Sequence, residues 1–171
     1  DWKEQVSIMC LKASRKLSVL RRVKNLQRST LDTLYKTTVR SVIDFGLFIY
    51  YNSLNQTDIS KINKIQYTAA KFVTSTLPYT STKSLETELG WESINDRADF
   101  LGLTLFHKIH CNTTRPLIKE CMPQYSSRQN QPQSVITYSH FPYRGVNFPY
   151  FTRKWNNLPK SLKKKIVDDF K

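Results

Sequence analysis

The sequence predicts an all-α helical bundle carrying a C-terminal appendage. Four stretches repeat apolar residues at spacings of three and four, which gathers them on one helical face. The connections between those stretches are short, as between neighbours in a bundle. A longer polar stretch over 123–134 then sets off the rest of the chain.

Taken in order, residues 2–24 predict the first helix. Val6, Cys10, Ala13, Leu17 and Leu20 line one face, and Lys12, Arg15, Lys16 and Arg22 fall largely on the other. Residues 25–29 are polar and read as a turn. Ser29 or Thr30 is placed to cap a second helix, and Ser29 with Asp32 resembles a capping box. That helix carries Leu31, Leu34, Tyr35, Thr38, Val39, Val42 and Ile43, and is expected to run to about Tyr50. After a loop over Asn52–Gln56, Thr57 is the expected cap of a third helix, with Ile59, Ile62, Ile65, Gln66, Ala69 and Val73 on its stripe.

Residues 74–82 are rich in Ser and Thr around Pro78, which is loop chemistry. A short helix through Leu85 and Leu89 should end at Gly90. Ser93 with Asp96 resembles a second capping box and opens a long helix bearing Ile94, Ala98, Leu101, Leu105, Phe106 and Ile109. Pro116 can start a short helix near Leu117–Cys121. Residues 135–151 are aromatic and alternating, which suits a small hairpin or an extended arm. Arg153–Lys171 should be helical in two pieces broken at Pro159. The expected organisation is a helical bundle over 1–122, a polar linker over 123–134 and an aromatic, basic segment over 135–171.

With 171 residues the chain can bury a real core, and its 39% hydrophobic content favours folding over disorder. Its net charge of +14 points to a polyanionic partner, nucleic acid ahead of an anionic membrane. The charge is uneven: residues 1–40 hold ten basic side chains against three acidic ones, whereas 41–100 hold five against seven. Three cysteines make no disulfide framework and fit a reducing compartment. No signal peptide opens the chain, and no apolar run reaches the ~20 residues of a membrane span. Beginning at Asp1, the chain is expected to be a piece of something longer.

Little in it can do chemistry. A phosphate-cradling loop needs clustered glycines, and the four here (Gly46, Gly90, Gly102, Gly145) are isolated. His107, His110, Cys111 and Cys121 offer one ligand too few at the second knuckle for a zinc site. Asp168-Asp169 resembles the paired carboxylates that hold two Mg²⁺ ions in polymerases, but no flanking strands or third carboxylate accompany it, which leaves a solvated helix end. Binding chemistry is better represented. Lys12, Arg15, Lys16, Arg21, Arg22, Arg40, Lys64, Lys71 and Arg97, with Arg153 and Lys154 near Tyr143, Tyr150, Phe151 and Trp155, are the candidate nucleic-acid contacts. Arg97 is equally an ion-pair partner for the Asp96–Asp99 neighbourhood. Phosphate contacts carry no sequence information, so such binding is led by shape. A membrane-surface role is disfavoured because the basic residues lie beside ordinary core stripes.

Several stretches together resemble one family: the region that follows the catalytic domain of non-LTR, LINE-type (jockey-like) retrotransposon reverse transcriptases. They are Ala13-x-Arg15-Lys16-Leu17-x-x-Leu20, Leu34-Tyr35 with Val39-Arg40-Ser41-Val42-Ile43-Asp44-Phe45-Gly46, and Ile62-x-x-Ile65-Gln66-x-x-Ala69-x-Lys71-Phe72. Leu89-Gly90-Trp91-x-x-Ile94-x-x-Arg97, Leu105-Phe106-x-Lys108-Ile109, Trp155-Asn156-Asn157-Leu158-Pro159 and Phe170-Lys171 complete the series. Their order and spacing agree over nearly the whole chain, with departures at Ser41, Tyr50, Ala98 and Tyr150.

The resemblance implies a thumb-like bundle and a following linker in an RNA-directed DNA polymerase that acts in the nucleus. The palm and its Mg²⁺ ions would lie upstream of Asp1, leaving this chain without an active site or cofactor of its own. Its implied partners are an RNA–DNA hybrid, target DNA and the upstream polymerase domain, with no membrane. A stand-alone helical nucleic-acid-binding scaffold derived from such an element is the alternative.

Overall fold

A computed structural model describes residues 2–23, 25–76, 79–110 and 148–159. Every element among them is helical, as the periodicity predicts. The chain divides into two units, 1–98 and 99–171.

In the first unit, α1 (Trp2–Leu20) buries Val6, Met9, Ala13, Leu17 and Leu20, and a tighter 3₁₀ turn over Arg21–Val23 follows it. Cys10, expected on this face, is half-buried at its edge, and Met9 takes the central place. α2 (Arg28–Leu34) starts ahead of the expected cap: Gln27 is the N-cap, and no side chain closes the helix end. The Ser29–Asp32 box does not form because Asp32 is engaged elsewhere, by Trp91 Nε1 at 2.7 Å and Lys36 Nζ at 2.8 Å.

The helix expected to continue to Tyr50 is broken into pieces. A π turn over Tyr35–Arg40 is followed by α3 (Ser41–Asp44), α4 (Leu47–Tyr50) and a 3₁₀ turn over Tyr51–Ser53. Thr37, Thr38 and Ser41 hydroxyls donate to carbonyls four residues back, a pattern that loosens and bends helices. The extra residue of the π turn lets Tyr35, Val39 and Arg40 all point inward. The break between α3 and α4 falls at Gly46, whose φ of 73° is left-handed and costs a residue with a Cβ about 1–2 kcal/mol.

α5 (Gln56–Thr74) is capped by Asn55 and not by Thr57; the Asn55 side-chain oxygen accepts the Asp58 amide at 2.8 Å. α6 (Thr82–Leu89) is capped by Ser81 and closes at Gly90, left-handed as expected. α7 (Ile94–His110) starts at Ser93, whose Oγ accepts the Asp96 N–H at 3.1 Å as the sequence predicts. α1 packs on α5, α3 and the π turn, while α5 also packs on α2 and α6.

Two tyrosines sit deep in this core. Burial raises the Tyr35 phenol above its usual value and pushes Tyr50 up to about 12. Each stays protonated in the fold at pH values where an unfolded tyrosine, with a pKa near ~10, has ionised. The unfolded state then binds fewer protons, so stability falls as pH rises from about 10 towards 12. Tyr50→Phe should flatten that alkaline loss, read as helical circular dichroism against pH.

In the second unit, residues 99–110 of α7 and α8 (Phe148–Asn157) are described. The hairpin or extended arm expected over 135–151 is corrected at its end, since 148–151 are helical. Phe151 and Trp155 lie four apart and are both buried, so the aromatic spacing there follows the helical period. α8 ends ahead of Pro159, where the break was expected. The short helix near 117–121, the linker over 123–134, residues 135–147 and Asp168-Asp169 lie outside the described residues. A Cβ placed on Gly102 would overlap the Phe151 ring. Gly102→Ala should therefore cost about 1–3 kcal/mol of packing and shift the emission of nearby Trp155.

Candidate nucleic-acid interface

The basic residues of the first unit divide into those held by carboxylates and those that are not. The held group ties the π turn and α3 to the start of α7. Arg97 Nε and Nη2 donate to Asp44 Oδ2 at 3.1 and 2.8 Å, and its Nη1 lies 3.5 Å from Glu92. The Asp44 bond raises the Arg97 pKa further. Arg40, 7% exposed, lies 3.5 Å from the same Glu92 carboxylate. Buried Gln66 donates to Glu86 at 2.8 Å and to the Glu92 carbonyl at 2.9 Å. Trp91 stacks on Tyr35 with ring centres 4.2 Å apart. Of the two uses open to Arg97, the structure shows an ion pair, but with Asp44 and Glu92 in place of Asp96 or Asp99. Tyr35, Arg40, Asp44, Gln66, Trp91 and Arg97 all belong to the stretches that carry the resemblance.

Other cations are also engaged. Arg28 pairs with Glu88 at 2.7 Å, and Lys61 pairs with buried Asp58 at 2.7 Å. Lys71 lies 4.8 Å over the Tyr67 ring.

The second group is Lys12, Arg15, Lys16, Arg21, Arg22 and Lys64, all exposed. Among the described residues no carboxylate forms an ion pair with any of them. An unpaired surface cation keeps its counter-ions and is free to exchange them for a phosphate.

These six do not share one face. At ~100° per residue, Arg21, the first residue after α1, projects opposite Lys12, with Lys16 near Lys12. Arg21 flanks a groove of about 340 Å³ between α1 and α5, across which stand Lys61 and Lys64. Ser14, Leu17 and Ile65 line it, and half-buried Cys10, its thiol pKa raised by burial, lies at its edge. The Lys12 side carries a feature the sequence pattern did not bring out. Ile8, Leu11 and Val19 are 42%, 52% and 62% exposed, forming a second aliphatic row among Lys12, Arg15 and Lys16. The basic residues thus lie beside an exposed apolar row as well as the core stripe, which removes the reason for disfavouring a membrane surface.

In the second unit, Lys154 pairs with Asp99 and lies 5.1 Å from the centre of the Tyr150 ring. Tyr150, one of the departures from the family pattern, donates to the same Asp99 at 2.9 Å. Arg153 is exposed on α8. His107 is buried beside the Trp155 ring, 5.8 Å between centres, and burial lowers its pKa. Cys111 and Cys121 lie outside the described residues. Among the described residues no three His, Cys, Asp or Glu side chains converge as a metal site would require. Nor is any described helix long and apolar enough to cross a membrane. No family model, curated protein or solved structure matches the chain.

Proposed function

We propose that this chain is the non-catalytic, thumb-like part of a retrotransposon RNA-directed DNA polymerase, and that its first unit holds the template–primer by charge and shape. The observation that carries this is the partition of its cations. Arg40 and Arg97 are engaged by Glu92 and Asp44, whereas Lys12, Arg15, Lys16, Arg21 and Arg22 are exposed and form no ion pair among the described residues.

The outer side of α1 offers a convex ridge. Lys12, Arg15, Lys16 and Arg22 reach phosphates, while Ile8, Leu11 and Val19 lie between them as an apolar strip. The wide, shallow minor groove of an A-like hybrid accepts such a ridge and reads shape in place of sequence. Nucleotide addition and the Mg²⁺ ions it uses would belong to carboxylates of an upstream domain in the same polypeptide, acting in the nucleus.

The test is a comparison of ligands at matched salt. The chain is titrated with a blunt RNA–DNA hybrid, duplex DNA, single-stranded RNA and anionic liposomes. The proposal expects the hybrid to bind more tightly than duplex DNA. Binding to liposomes alone would assign the apolar, basic ridge to a membrane and overturn the proposal.

A further inference from the structure

The opposed placement of Arg21 and Lys12 about α1 has a consequence for what can bind at once. We infer that the groove between α1 and α5 is a second nucleic-acid site, fitted to a single strand, and that it works independently of the outer ridge. This rests on the nucleic-acid reading above and extends it.

Three observations support the groove as a strand site. Its rim is cationic on both sides, with Arg21 from the turn after α1 and Lys61 and Lys64 from α5. Lys61 is committed to Asp58, but Arg21 and Lys64 have no ion pair among the described residues, which leaves two charges for phosphates. At about 340 Å³ the groove cannot enclose a duplex, whereas a sugar-phosphate unit of a single strand can enter it. Its lining combines hydroxyls (Ser14, Ser18, Thr68) with aliphatic carbons (Leu17, Ile65), a surface that suits sugar and backbone in place of a base-reading edge.

Independence follows from distance. A helix with its side chains is about 10–12 Å across, so phosphates held on its two sides are farther apart than that. The Debye length at physiological salt is about 8 Å, and repulsion between the two ligands is therefore largely screened. One α1 helix can hold a duplex on its outer side and a strand on its inner side.

The experiment uses the full chain, a blunt hybrid hairpin and an unstructured single-stranded oligonucleotide carrying a different fluorophore. In the wild-type chain, saturating hybrid should leave the strand bound. Arg21→Ala with Lys64→Ala should release the strand, lower its salt slope by roughly 1.4 (about 0.7 for each lost phosphate) and leave the hybrid in place. Lys12→Ala with Lys16→Ala should do the reverse. All four positions are exposed, so both double variants should keep wild-type helical circular dichroism. Mutual displacement of the two ligands, failure of the strand to bind while the hybrid does, or equal weakening of both ligands by either double variant would overturn the inference alone. Failure of both ligands to bind would overturn it together with the proposed function.

Discussion

Trp91→Ala should destabilise the first unit by about 3–5 kcal/mol, the range for removing a fully packed aromatic. Trp91 is 5% exposed and stacks flat on Tyr35, itself fully buried. It also ties two distant parts of the chain, because its Nε1 donates to Asp32 on α2. Its backbone N–H closes the C-terminus of α6 by donating to the Glu86 carbonyl at 2.8 Å, just past left-handed Gly90. The loss is a large share of the ~5–15 kcal/mol that holds a domain together. For a unit of this size it corresponds to a melting temperature lower by more than ~10 °C. Trp91→Phe keeps an aromatic ring against Tyr35 and loses the bond to Asp32. Asp32 keeps Lys36, so this change should cost no more than about 1–2 kcal/mol. Urea unfolding followed by circular dichroism separates the two. A loss below about 1 kcal/mol for Trp91→Ala would mean that the network around Tyr35 is not what holds the helices together.

The second large effect concerns binding and leaves the fold alone. Replacing Lys12, Arg15 and Lys16 together by alanine removes three cations without ion pairs among the described residues. At about 0.9 per phosphate, the salt slope for a duplex should fall by roughly 2.7, with stability near that of wild type. Arg97→Ala should behave oppositely. It strands the Asp44 carboxylate, only 19% exposed, and should cost about 1–3 kcal/mol while leaving the salt slope unchanged. Salt titrations paired with urea curves for both variants test this double dissociation. A slope change in Arg97→Ala at full stability would place that residue on the ligand after all.

Local pattern made much of the architecture legible. The apolar spacing of α1 and α5, the Gly90 stop and the Ser93 start depend on neighbours within one or two turns and appear where the sequence puts them, apart from Cys10 and Ile59, which are only half-buried. The misses have separate causes. Ser29 and Thr57 are good caps by residue type, but Gln27 and Asn55 hold those places because Asp32 is drawn to Trp91, 59 residues away, and because the chain turns before Gln56. An isolated glycine in a helical pattern is usually tolerated, so Gly46 gave no sign that it breaks the second helix.

The candidate interface was legible as composition but not as geometry. Nothing local distinguishes Arg40 or Arg97 from Arg15. Their acids stand on other elements, with Asp44 53 residues from Arg97, so sorting held from unpaired cations needs the tertiary fold. Ile8, Leu11 and Val19 were in plain view, yet they fall outside the core stripe and gained meaning only as an exposed row.

The most direct test of the account is the salt dependence of hybrid binding by the wild-type chain. Four cations line the outer ridge, so log K should fall linearly with log salt at a slope of roughly −3.6. A slope near zero, or no binding of the hybrid at low salt, would contradict the claim that unpaired charge on α1 is what this chain uses to hold nucleic acid.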